Sequence, residues 1–163
     1  CLAGCRRVVL TGSYYLDVMI YPDIDLYISK ISIEQAFAIS AQLAKCQLVR
    51  AIVFEKSSTP ELGDGIYLKA RVDHGDWGRL WKIDIWSLED SIIDKKTGEI
   101  EHFKKKMTPA RRGQILHYKS SIITSQKRTP MYSGWFIYKA FIDEGITDPE
   151  QVSAYLRKNG IKI

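Results

Sequence analysis

The chain has 163 residues, 45% of them hydrophobic, and its 24 Lys and Arg against 19 Asp and Glu leave a net charge of +5. That length supports one good core with room for a small appended domain, and no apolar run approaches a membrane span, so a soluble protein with no membrane partner is expected. The positive balance suits polyanionic partners such as nucleotides or nucleic acid, although a mild excess is also ordinary for a plain soluble domain.

Cys1, Cys5 and Cys46 are odd in number and lack metal-finger spacing, which points to a reducing, cytoplasmic setting. Leu2-Ala3-Gly4-Cys5 has the form of a bacterial lipoprotein cleavage box. No charged and apolar leader stands before it here, and it reads as coincidence. A start at Cys1 rather than Met leaves open residues further upstream.

Val8, Val9 and Leu10 predict a first strand that ends in a tight turn at Thr11-Gly12-Ser13. Tyr14 to Tyr21 reads as a connector, and Pro22 suits the start of a strand better than its middle. The second strand, Asp23 to Ser29, alternates strictly: Asp23 and Asp25 share one face, and Ile24, Leu26 and Ile28 the other. Ser32 with Gln35 forms a capping box for a helix that ends near Cys46, with Ile33, Ala36, Phe37, Ser40, Leu43 and Ala44 on one face.

Leu48 to Phe54 is another strand, and 57–65, with Pro60, Gly63 and Gly65, is a loop. Two alternating strands follow around a turn at 73–78. Tyr67, Lys69, Arg71 and Asp73 oppose Ile66, Leu68, Ala70 and Val72 in the first. In the return strand, 79–86, Lys82 and Asp84 share the face opposite Trp81, Ile83 and Ile85. Asp is depleted in strands, so a third carboxylate between two isoleucines asks for a reason.

From Ser87 the strand pattern stops and the chain turns helical and more basic. Ser87 can cap a segment that Lys96-Thr97-Gly98 is expected to break. Thr108-Pro109 opens a helix to about Ser125. The segment 133–144 is apolar on much of its circumference and expected to be buried. Asp148-Pro149-Glu150-Gln151 starts a last helix that ends near Asn159-Gly160.

Two acids on one side of a strand repel each other unless something positive lies between them, and a divalent cation is the usual answer. The order Gly12-Ser13, nine residues, Asp23-Ile24-Asp25-Leu26 and later Ile83-Asp84-Ile85 resembles the nucleotidyltransferase superfamily with the DNA polymerase beta-like fold. The resemblance covers roughly residues 6 to 87. Thr11 stands where a hydrophobic residue is usual, and Pro22 replaces the small polar residue often found before the first acid.

The resemblance implies an α/β (α+β) fold: a mixed β-sheet nucleotidyltransferase core over 1–87 and a helical C-terminal region over 88–163, expected to pack on the core. It also implies transfer of a nucleoside monophosphate from an NTP donor with two Mg²⁺ ions held by Asp23, Asp25 and Asp84. Gly12 would let the backbone approach the triphosphate, and Ser13 would offer its amide and hydroxyl to the terminal oxygens. Lys82 would neutralise phosphate charge or pair with Asp84. The acceptor is not disclosed: a small molecule such as an antibiotic, a protein side chain and an RNA end all remain open. A homodimer or partner protein is one way for so short a chain to complete an acceptor site.

Blander readings stand beside these. An acid-x-acid pair alone is more often a solvated strand face, and a fold outlives its chemistry, so an inactive nucleotide- or partner-binding module is the alternative. Lys104, Lys105, Lys106, Arg111, Arg112, Lys119, Lys127 and Arg128 form a basic run whose first reading is a solvated helical face and whose second is a nucleic-acid surface. His74, His102 and His117 lack ligand spacing. Trp81, Trp86 and Trp135 read as core rather than a stacking platform, and Ser13 has no evident His-acid partners for hydrolysis.

Overall fold

The computed structural model describes residues 2, 4–57 and 59–163; Cys1 and Ala3 of the cleavage-box look-alike and Ser58 of the expected loop lie outside them. Among the described residues, five strands and six helices run β1 (Val8–Thr11), α1 (Gly12–Tyr15), β2 (Asp23–Ser29), α2 (Ile33–Ala44), β3 (Val49–Lys56), β4 (Ile66–Val72), β5 (Trp81–Leu88), α3 (Asp90–Lys106), α4 (Pro109–Ser121), α5 (Ser133–Ile142) and α6 (Pro149–Lys158), with a 3-10 turn at Pro60–Leu62. The fold is mixed α/β. The chain divides into two compact units, one formed by 1–15 and 21–100, the other by 16–20 and 101–163.

The first unit is built on a five-stranded sheet in the order β1-β2-β5-β4-β3. β2 and β5 are parallel neighbours, while β1 with β2, β4 with β5 and β3 with β4 are antiparallel. Alternation along each strand sorts the side chains between two faces. Ile28, Ile66, Leu68 and Ile85 are buried on one face, where Ala36 and Ile39 of α2 pack against them. Each of the buried Ile and Leu side chains stabilises the unit by roughly 1.5–3 kcal/mol relative to exposure.

The capping box at Ser32 forms as expected: the Gln35 backbone N–H donates to Ser32 Oγ at 3.2 Å, and the Ser32 N–H donates to Gln35 Oε1 at 2.9 Å. The face of α2 is rotated from the expected one, because Ile39 is buried while Ile33 and Phe37 are exposed. Small Ala36 admits the close approach to the sheet, and Phe37 instead stacks on Phe54 at 5.0 Å between centroids.

Ser87 is not a helix cap. It belongs to β5, and its hydroxyl accepts the Ile31 N–H at 2.9 Å. Nor does Lys96-Thr97-Gly98 break a helix, since α3 runs through it. A glycine costs about 1 kcal/mol in a helix interior, which burial of Ile93 and Ile100 on the same helix outweighs.

The second unit is helical, and its core contains Phe103, Ile115, Tyr118, Ile137, Phe141, Val152 and Leu156. Phe103 meets Tyr138 and Tyr118 meets Phe141 edge-on, each with centroids 5.9 Å apart. Thr108 and Asp148 cap α4 and α6 through their side chains, as their sequences predict. The segment 16–20, which reads as plain connector, holds fully buried Leu16 and Val18.

Candidate metal centre

The register of the two parallel strands builds the site. Asp25 lies directly beside Asp84, and Asp23 beside Lys82. Neighbours across a ladder project to the same side, so three carboxylates and one ammonium gather on the sheet face opposite α2. One oxygen from each of Asp23, Asp25 and Asp84 lies within 4.8 Å of the others. Asp23 and Asp84 are buried and Asp25 is half-buried.

Two carboxylate charges ~4 Å apart repel by about 4 kcal/mol at an effective dielectric constant of ~20, so the cluster needs a cation. Lys82 supplies one: its Nζ lies 3.1 Å from Asp23 Oδ1 and 2.8 Å from Asp84 Oδ2. Burial works against the charged ammonium, but Asp23 and Asp84 outweigh it and hold the Lys82 pKa above that of an ordinary lysine.

Tyr67, on β4, donates its hydroxyl to Asp84 Oδ1 at 2.8 Å. Burial and the Asp84 charge beside it keep that phenol protonated far above the usual tyrosine range. Tyr27, two residues beyond Asp25 on the same face, is pushed up to about 12, mainly by burial and further by the Asp25 charge.

Gly12 opens α1 with φ of 71°, a conformation that glycine adopts without strain. A Cβ there would collide with the Asp25 carboxylate, its distance to Asp25 Cγ being 2.9 Å. The glycine turn and the acid strand therefore close on each other, helped by the β1–β2 register that sets Thr11 beside Asp25. At the strand entrance Arg79 stacks over the Tyr21 ring, 4.9 Å from its centroid.

Three carboxylates suit a hard divalent ion. Mg²⁺–oxygen bonds of ~2.1 Å in an octahedron set ligand oxygens ~3.0–4.2 Å apart, and Mg²⁺ takes a few carboxylates together with phosphate oxygens. The donor set fits.

Of the expected site residues, Asp23, Asp25, Asp84 and Lys82 converge, Gly12 abuts Asp25, and Ser13 follows Gly12 in α1. The sequence reading missed Tyr67. Its signal lay in the hairpin around 73–78, whose pairing sets Lys69 beside Asp84 and Tyr67 one same-face position earlier in β4, beside Trp86.

The basic run is not one solvated face. Lys119 is only 3% exposed and donates to the Val18 carbonyl at 2.6 Å, while Arg112 pairs with Asp17 at 2.7 Å. His102 is paired with Asp143 at 2.6 Å. Nor is Trp135 core: it is 36% exposed, with Lys139 Nζ 5.0 Å from its ring centroid, while Trp86 stacks on Tyr67 at 4.4 Å.

No protein-family model and no curated protein matches the sequence. Among solved structures, the fold is similar to the Cid1 poly(U) polymerase, whose structure was determined with Mg and 3'-dATP bound, at 16% identity and a TM-score of 0.44. The likeness covers 72% of this chain and 36% of that one. In this chain the three acids of the sequence order Gly12-Ser13, Asp23, Asp25 and Asp84 converge beside the glycine turn.

Proposed function

We propose that the chain is a Mg²⁺-dependent nucleotidyltransferase that moves a nucleoside monophosphate from an NTP to an acceptor hydroxyl. The observation that carries this reading is the meeting of three carboxylates from two parallel strands against a glycine turn. Asp23, Asp25 and Asp84 would hold Mg²⁺, two ions by the superfamily's pattern, which supplies positive charge to the phosphoryl oxygens when bound. The Gly12-Ser13 turn would receive the terminal phosphates through backbone N–H groups and the Ser13 hydroxyl.

In the reaction, the acceptor oxygen forms a bond to the α-phosphorus, and the bond from that phosphorus to the bridging oxygen breaks, releasing pyrophosphate. Asp84 would take the acceptor's proton at Oδ2, the oxygen that Lys82 now faces, while Tyr67 donates to Oδ1. The acceptor would be a small molecule, a protein side chain or an RNA end. A second copy or a partner protein would complete its site, in a cytoplasmic setting compatible with the free thiols of Cys5 and Cys46.

A second reading, a nucleotide- or partner-binding module without turnover, is favoured by Lys82, whose ammonium already engages two of the three acids. Thermal stabilisation by NTP with and without Mg²⁺ separates the two readings when paired with an assay of pyrophosphate release. A ligand at a hundredfold excess over its Kd stabilises by about 2.7 kcal/mol, and Asp25→Asn should abolish both that shift and release. Release that survives in Asp25→Asn removes the metal assignment. A Mg²⁺-dependent shift without release, across acceptors of all three classes, selects the binding module.

A further inference from the structure

We propose that Lys82 is a tethered counter-ion that occupies the carboxylate cluster until a divalent cation displaces it, so that this one lysine sets how tightly the centre takes up metal. The inference rests on the metal-centre reading above and adds to it a competitor built into the chain. Lys82 stands on the same strand as Asp84, two residues before it, and beside Asp23 across the ladder. All three residues lie on paired strands, and the ammonium reaches both acids without any loop having to close.

Both oxygens of Asp84 are already engaged, Oδ1 by the Tyr67 hydroxyl and Oδ2 by Lys82. A metal ion that takes Asp84 and Asp23 as ligands must share or take over the oxygens facing Lys82, and it cannot share their charge with a +1 group at 2.8 and 3.1 Å without repulsion. The lysine therefore has to swing away as the ion arrives. Its four-carbon stem permits that movement, and a triphosphate entering with the ion would give the ammonium new anionic oxygens to face. A centre of this design disfavours bare metal ions and favours a metal that arrives with a polyphosphate. Lys82 is in this account a positioning residue: it acts through the carboxylates.

The test is a titration with Mn²⁺, a paramagnetic stand-in for Mg²⁺, followed by electron paramagnetic resonance in the absence of nucleotide. It is run on the native chain, Lys82→Met, Lys82→Gln and Asp25→Asn. The two neutral variants should bind Mn²⁺ at least about tenfold more tightly than the native chain, as strong neighbours of metal ligands change affinity 10–100-fold. Asp25→Asn should lose binding. The melting midpoint of the neutral variants in EDTA should fall below that of the native chain and recover with Mn²⁺. The Mn²⁺-dependent affinity for ATP should move the opposite way, weakening in both neutral variants, which a purely structural lysine would not produce.

Equal Mn²⁺ affinity in the native chain and both neutral variants overturns the proposal and leaves the metal centre standing. No Mn²⁺ binding by any of the proteins overturns both. Should the neutral variants unfold in EDTA, Mn²⁺ must refold them, and variants that stay unfolded with Mn²⁺ overturn the proposal.

Discussion

Lys82 in the strand unit and Lys119 in the helical unit are both largely withdrawn from water, but they are held by different means. Lys82 faces two full negative charges, at 3.1 and 2.8 Å. Lys119 donates to the Val18 carbonyl at 2.6 Å, and its Nζ lies 5.9 Å from the centroid of the Tyr138 ring. A carboxylate pair can exchange one cation for another, whereas a carbonyl dipole and an aromatic face suit an ammonium and offer a metal ion little. The two lysines thus have opposite prospects: the first, half-buried, can be displaced as part of chemistry, and the second, buried, ties 16–20 to α4. A cation held between carboxylates can be exchanged for a metal ion, and Lys82 is held in that way.

The largest effect is expected where the strand unit is tightest. Gly12→Ala forces an alanine into a left-handed conformation, at a cost of about 1–2 kcal/mol, and drives its Cβ into the Asp25 carboxylate. Urea unfolding should show a loss of about 3 kcal/mol once that collision is included, and Mn²⁺ binding should go with it. A variant as stable as the native chain that still binds Mn²⁺ would separate the glycine turn from the acid cluster.

Lys119→Met sharpens the contrast from the other side. It leaves the Val18 carbonyl without its lysine donor, which should cost about 2 kcal/mol in the same unfolding experiment. Mn²⁺ affinity should not move, because the cluster's counter-ion is Lys82. A change in metal affinity comparable to that in Lys82→Met would erase the distinction between the two lysines.

The smallest effect belongs to Asp143. Burial pushes its carboxyl up, but the His102 hydrogen bond and the charges of His102 and Lys106 bring it below the usual carboxylate value. A depressed folded-state pKa adds stability that is present above the unfolded value of ~3.8–3.9 and lost as pH falls through the folded value. Asp143→Asn should therefore lower stability at neutral pH by less than about 1 kcal/mol and flatten the acid limb of a stability–pH curve below pH ~4. An unchanged acid limb would assign that limb to other carboxylates.

The acid cluster was legible because its parts obey local rules. Period two puts Asp23 and Asp25 on one face and Ile24, Leu26 and Ile28 on the other, and the same rule joins Lys82 to Asp84. The capping box at Ser32 and the N-caps at Thr108 and Asp148 are equally local, set by a side chain reaching three residues along its own backbone. Where the reading failed, the deciding contact was distant in sequence. Ser87 looks like a cap until Ile31, 56 residues away, is seen to use its hydroxyl. Gly98 looks like a break, yet buried Ile93 and Ile100 carry the helix through it.

The residues themselves determined that three carboxylates would lie on strand faces, that a glycine turn would precede them, and that one lysine would share their side, because alternation and turn chemistry act over a few residues. Only the tertiary structure decided that Asp25 would stand beside Asp84 and Lys82 beside Asp23, since the register of β2 on β5 depends on packing that spans more than fifty residues. The same holds for Tyr67 on Asp84 and for Lys119 on Val18. A side chain's spacing fixes which way it points, and the fold chooses what it meets there.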